Sequence, residues 1–172
     1  MKILITLDGT QFAEAALAPA CRLMDGRGTE VHLLQVIEDS RPLVSSTRSW
    51  EPPGRDPIIF RSNFGDMESA PTYRVQDPEL NRQVDERLDQ EAQEYLGGVC
   101  AKLNSDNVIT KVIRSDKVED AIKDYATEQG FDFIFMATHA RTGLPGLFIG
   151  RVASDLLRNL DIPLVLVRPR DK

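Results

Sequence analysis

Apolar positions along the chain follow two rhythms. Short runs dense in Ile, Leu, Val and Phe occur at Lys2 to Leu7, Glu30 to Ile37, Asn107 to Ile113, Phe133 to Met136 and Pro163 to Val167. Each has the length and composition of a strand, and nearly continuous runs such as EVHLLQVI suit parallel strands covered on both faces. Between them the apolar residues recur at helical spacing. After the Asp8-Gly9-Thr10 turn, with Thr10 as a helix N-cap candidate, Ala13, Ala16, Leu17, Ala20 and Met24 share one side of a helix. Pro19 falls inside that pattern and should kink the helix or end its regular part. Pro78 opens a long helix with Leu80, Val84, Leu88, Ala92, Tyr95, Leu96, Val99 and Leu103 on one stripe. Gly97-Gly98 weakens it by about 1 kcal/mol per glycine relative to alanine, which suggests close packing or a bend. Asp116 to Gln129 forms the next helix, with Val118, Ala121, Ile122 and Tyr125 inward and Gly130 as its stop. From Gly150 a last helix places Val152, Ala153, Leu156, Leu157 and Leu160 together.

Strands alternating with helices imply α/β architecture: an open, parallel, five-stranded sheet with helices on both faces and right-handed crossovers. The chain reads as a single domain, 1–172, interrupted by an insertion at about 38–77 between the second strand and the long helix. That stretch holds Pro42, Pro52, Pro53, Pro57 and Pro71 among many Ser, Arg and Asp residues. It far exceeds the usual connection of about 4–6 residues, so it is either functional or mobile. Trp50, Phe60, Phe64 and Tyr73 are more aromatics than a disordered linker needs, which predicts that part of it packs on the domain or on a partner.

Charge narrows the classes of partner. The net charge of −6 and the absence of a basic run argue against nucleic acid or an anionic membrane. No apolar stretch reaches 18 residues, and MKILITLDGT lacks the apolar length and cleavage site of a signal peptide, so a cytoplasmic protein is expected. Cys21 and Cys100 fall in predicted helices without metal-like spacing and read as reduced, half-buried thiols.

The stretch from Phe133 to Val152, FIFMATHARTGLPGLFIGRV, carries the candidate chemistry. It runs from a buried strand through a polar loop to a helix start, where free amides and the helix dipole favour an anion. The same arrangement also serves as a plain connection. In open parallel sheets ligands lie beyond the carboxyl ends of strands, where the winding reverses. The available edges here are Asp8, Val36 and the loop after the fourth strand.

ILITLDGT together with MATHARTGLPGLFIGRVASDLLRNLDIPLVLVRP resembles the universal stress protein family, and the resemblance covers the chain outside Glu38 to Asp77. It implies a Rossmann-like sheet of the adenine nucleotide alpha hydrolase type, ordered 3-2-1-4-5, with a nucleotide site at the reversal between strands one and four. It further implies a homodimer, commonly through the last strand, here Pro163 to Val167. Members that bind ATP carry Gly-x2-Gly-x9-Gly-Ser/Thr. The matching positions are Ala137, Ala140, Gly150 and Arg151, so only the third glycine is retained. Alanine at a strand end such as Ala137 is mild, whereas Ala140 matters if its position needs a left-handed backbone. Arg151 either replaces a hydroxyl with a stronger phosphate contact or fills the pocket with its bulk.

By the same resemblance, Asp8 matches the residue at the adenosine end, Val36 the residue that meets the base, and His139 the loop histidine. Thr6, Leu7, Met136, Gly143 and Val152 complete the implied site. Each principal residue has a structural alternative: an Asx-turn for Asp8, core packing for Val36, a backbone bond for His139. His32 has no ligand-spaced neighbour and reads as structural.

No nucleophile elbow, phosphate loop or Cys/His cluster is present in the sequence, so the expectation is a non-enzyme with at most weak nucleotide hydrolysis. Two readings follow. One is a sensor binding ATP, alone or with Mg, or another adenine nucleotide. The other is a dimeric stress-response interaction protein that binds no nucleotide and uses the insertion to contact a protein partner. An altered pocket holding another anion through Arg141 and Arg151 is a third.

Overall fold

The computed structural model describes residues 1–24, 28–38, 78–103, 107–138 and 149–169. Five strands form its centre: β1 Lys2–Leu7, β2 Glu30–Glu38, β3 Val108–Ser115, β4 Phe133–Ala137 and β5 Leu164–Val167. They make one sheet in the order β3-β2-β1-β4-β5, and every pairing is parallel. This is the order expected from the resemblance. The helices are α1 Leu17–Leu23, preceded by a 3-10 turn Ala13–Ala16, then α2 Pro78–Lys102, α3 Val118–Gln129 and α4 Arg151–Asn159.

Alternation along β1 divides the core in two. Ile3, Ile5 and Leu7 face α1 and α2, where they meet Leu17, Ala20, Leu96, Val99 and Leu103. Leu4 faces the other way, towards Ile122 and Ala126 of α3 and Ala153 and Leu156 of α4. A central strand buried on both faces must be apolar at successive positions, which explains the unbroken KILITL run.

Several expectations are corrected. Pro19 does not end the helix, which runs on to Leu23, because it lies in the first turn of α1, where a proline needs no amide partner. Thr10 caps the 3-10 turn rather than an α-helix: its Oγ1 accepts the Ala13 amide at 3.2 Å. In α2 the inward stripe holds only for the second half. Ala92, Leu96, Val99 and Leu103 are buried, whereas Val84 and Leu88 are exposed. A 25-residue helix is about 37 Å long, while the eight-residue β3 spans about 26 Å. The helix is therefore about 11 Å longer than the strand, and its first two turns, as far as Val84, overrun the sheet. Leu157 is exposed as well, since α4 turns Ala153 and Leu156 to the core and Leu157 lies about 100° further round. Cys21 is exposed rather than half-buried, because α1 buries only Leu17 and Ala20; Cys100 is partly buried as expected. Gly97 and Gly98 have open space where a Cβ would stand and are not close-packing positions. The side chain of Leu80, the turn residues 25–27, the insertion 39–77 with its aromatics, and the loop residues His139, Ala140, Arg141 and Gly143 lie outside the described residues.

Candidate functional site at the reversal of the sheet

The winding reverses between β1 and β4. Their ladder runs from Ile3↔Phe133 to Thr6↔Met136 and goes no further. On the other side β1 stays paired with β2 up to Leu7↔Gln35, and β2 continues to Glu38 alongside β3. A crevice therefore opens beyond Thr6 and Met136, walled by the longer β2. It encloses a cavity of about 330 Å³.

Seven of the twelve expected residues line this cavity: Thr6, Leu7, Asp8, Val36, Met136, Ala137 and Val152. Gly150 and Arg151 stand beside it at the start of α4, while His139, Ala140 and Gly143 lie outside the described residues. The sequence reading missed Ala13, Leu34, Glu38, Val118 and Ile122, which are the other lining residues among those described. Their signal was present but ambiguous, because Leu34, Val118 and Ile122 continue apolar patterns that also serve the core.

Each principal group is held by its neighbours. The Asp8 Oδ1 accepts the Thr10 amide at 2.9 Å and the Thr10 hydroxyl at 2.6 Å, forming an Asx-turn. The Tyr95 hydroxyl donates to the Thr10 carbonyl at 3.1 Å and pins that turn to α2. Between them Gly9 adopts φ +84°, with the Gln35 side-chain amide 3.2 Å from where a Cβ would project. At the opposite rim, the Thr138 amide donates to the Val167 carbonyl at 2.9 Å. Its hydroxyl donates to the Ile149 carbonyl, also at 2.9 Å. Thr138 thereby ties the end of β4 to β5 and to the residue before Gly150. Ala137 completes β4 with negative φ, so alanine suits this position.

Gly150 precedes α4 at φ +82°, ψ 157°, a region open essentially to glycine alone. Nothing lies within 4 Å of a Cβ built there, so the requirement comes from the backbone and not from crowding. A side chain at Gly150 would cost about 1–3 kcal/mol of strain. This is the one glycine of the nucleotide motif that the sequence retains, and it sets the first turn of α4 beside the cavity wall at Val152.

Arg151 is committed within the protein. Its Nη1 donates to the Glu119 Oε1 at 3.1 Å, and its Nη2 lies 3.7 Å from the Glu38 Oε1. The guanidinium is 65% exposed, so its pairing has the modest worth of a surface ion pair, about 0–1 kcal/mol. Glu119 differs: it is 14% exposed, and its Oε2 is buried with no hydrogen-bond partner among the described residues. The side chain bridges the end of β2 and the start of α3.

His32 does not line the cavity. It is buried on β2, with Nδ1 2.7 Å from the Tyr125 hydroxyl, Nε2 2.7 Å from the Glu30 Oε1 and its ring edge-on to Phe131. The structural reading of His32 suits this packing. The His32 hydrogen bond, followed by Lys2, holds the exposed Glu30 carboxyl below its usual range. No cluster of three or more metal-ligating side chains occurs among the described residues. Among the same residues no helix is long and apolar enough to cross a membrane.

Comparison with known proteins is consistent with this architecture. The chain superposes on the hypothetical protein MJ0577 with a TM-score of 0.63 at 20% identity, covering 99% of this chain and 97% of the other. The universal stress protein UspA of Lactobacillus plantarum gives 0.61 at 17% identity, with 98% and 97% covered. A universal stress protein solved in complex with cAMP gives 0.58 at 10% identity, with 98% and 96% covered. At such identities the likeness establishes the fold. A search of curated proteins finds no significant match. The sequence model of the universal stress protein family matches residues 64–168, more than half of the chain. With the sheet order and the sequence match in agreement, the chain belongs to the universal stress protein family.

Proposed function

We propose that this protein is a stress-response sensor or regulator that binds an adenine nucleotide, ATP among the candidates, in the cavity between β1 and β4. The observation that carries the reading is the cavity itself. It lies at the reversal of a parallel sheet, where such sheets take ligands. One end holds a carboxylate, Asp8, and the walls are apolar at Val36, Met136 and Val152. A flat base is accommodated by apolar walls, and ribose hydroxyls are natural donors to a carboxylate. The cAMP complex of a protein with the same fold adds support. We propose no catalytic role beyond weak nucleotide hydrolysis, since the one described histidine, His32, is engaged with Glu30 and Tyr125 away from the cavity. The same reading places the protein in the cytoplasm, as a homodimer joined through Pro163 to Val167.

Asp8→Asn tests the site without dismantling it, because asparagine also forms the Asx-turn. The measurement is the thermal midpoint with and without millimolar Mg-ATP, AMP and cAMP. A ligand at 100 times its dissociation constant stabilises by about 2.7 kcal/mol, and the shift should shrink in Asp8→Asn. A midpoint unmoved by every nucleotide would overturn the reading. It would favour instead a dimeric interaction protein without nucleotide. The observation on that side is Arg151, whose guanidinium is already paired with Glu119 and Glu38.

A further inference from the structure

The ion pairs at the start of α4 bear on which adenine ligand the cavity takes. Three carboxylates stand around its rim. Asp8 and Glu38 line the cavity, and Glu119 follows the lining residue Val118. Arg151 bridges Glu119 and Glu38. These two carboxylates therefore lie within reach of the N-terminus of α4, the end of a helix that otherwise attracts phosphate.

A phosphate chain at that end has two routes, and each meets opposition. If Arg151 stays paired, the added anion faces the Glu38 and Glu119 carboxylates at short range. If Arg151 turns to the phosphate, Glu119 loses its one described cationic partner while largely buried and with Oε2 already unpartnered. A carboxylate in that setting resists losing its counterion. The opposition grows with every phosphate charge and is absent for a neutral nucleoside.

We propose that the Arg151–Glu119–Glu38 bridge is a specificity determinant that makes the cavity take adenosine and adenosine monophosphates in preference to the triphosphate. This inference rests on the adenine-nucleotide reading above. Arg151 stands where ATP-binding members have a hydroxyl, and in this chain it serves its own carboxylates instead of the ligand.

Titration calorimetry with adenosine, AMP and magnesium-free ATP tests the proposal on the wild type and on the Glu38→Gln/Glu119→Gln double variant. The wild type should bind adenosine and AMP at least fivefold more tightly than ATP. The double variant should tighten ATP at least tenfold relative to adenosine, because it frees Arg151 and removes two negative charges. Salt provides a second readout that needs no variant. Raising the ionic strength screens the carboxylates, so the wild-type preference for adenosine over ATP should narrow; a site that attracts the triphosphate would show it widen. Adenosine binding with an ATP ratio that neither the variant nor salt moves in the stated direction overturns the bridge and leaves the nucleotide reading standing. Absence of binding by all three ligands to both proteins overturns the two together.

Discussion

Tyr95 illustrates how single residues couple the candidate site to the core. Its hydroxyl holds the Thr10 carbonyl, and Thr10 in turn holds Asp8. Burial, followed by the nearby charges of Glu14 and Asp8, pushes the Tyr95 phenol from its ordinary 10.0 up to about 12. Between those values the folded protein keeps a proton that the unfolded chain has released. Stability therefore falls as pH rises from about 10 to about 12. Urea midpoints measured across this window should decline in the wild type and decline less in Tyr95→Phe. Parallel profiles for the two proteins would show that the phenol does not drive the loss. Asp8 was legible as a candidate from its place after the first strand, and it lines the cavity. The role of Tyr95 was not, because it depends on two residues 85 apart in sequence, one in the turn after β1 and the other on α2. In the sequence Tyr95 is simply one more member of a helical stripe.

At the scale of elements, α2 departs most from its sequence pattern. Its apolar stripe is continuous from Val84 to Leu103, yet only the part over the sheet is buried. Periodicity reports which face of a helix is apolar; it carries no information on where the neighbouring sheet ends. The charged face is partly used, since Arg114 at the end of β3 reaches the Asp85 and Asp89 carboxylates at 2.9 Å each. Gly97 and Gly98 lie in the half over the sheet, but both are exposed and unopposed. With no contact to protect, Gly97→Ala should stabilise the protein by about 0.5–1 kcal/mol through helix propensity alone. Denaturant unfolding checks this, and destabilisation would reveal a packing role that the geometry does not show.

For the molecule as a whole, the open sheet leaves two edges, β3 and β5. All four residues of β5 are half-buried by this chain alone. An apolar edge strand of that kind invites pairing, and a second copy is the partner in the proposed reading. Light scattering at micromolar concentration should therefore give the mass of two chains. A mass of one chain at that concentration would reject the dimer.

The sequence by itself determined the strands and helices, their alternation and hence the parallel sheet, because strand and helix periods impose different spacings on apolar residues. With the family resemblance it also pointed to the ends of strands one and four, where the structure has a cavity lined by Asp8 and Val36. Tertiary structure alone decided what those positions do together. The cavity exists because the β1–β4 ladder stops at Thr6↔Met136 while β2 runs on to Glu38. The fate of Arg151 was decided in the same way. Its partners, Glu38 and Glu119, lie on β2 and α3, and only the folded sheet brings those chain segments to the start of α4. Local pattern specifies elements because its information is short-range; a charge's partner is chosen across the fold, so its role is settled there.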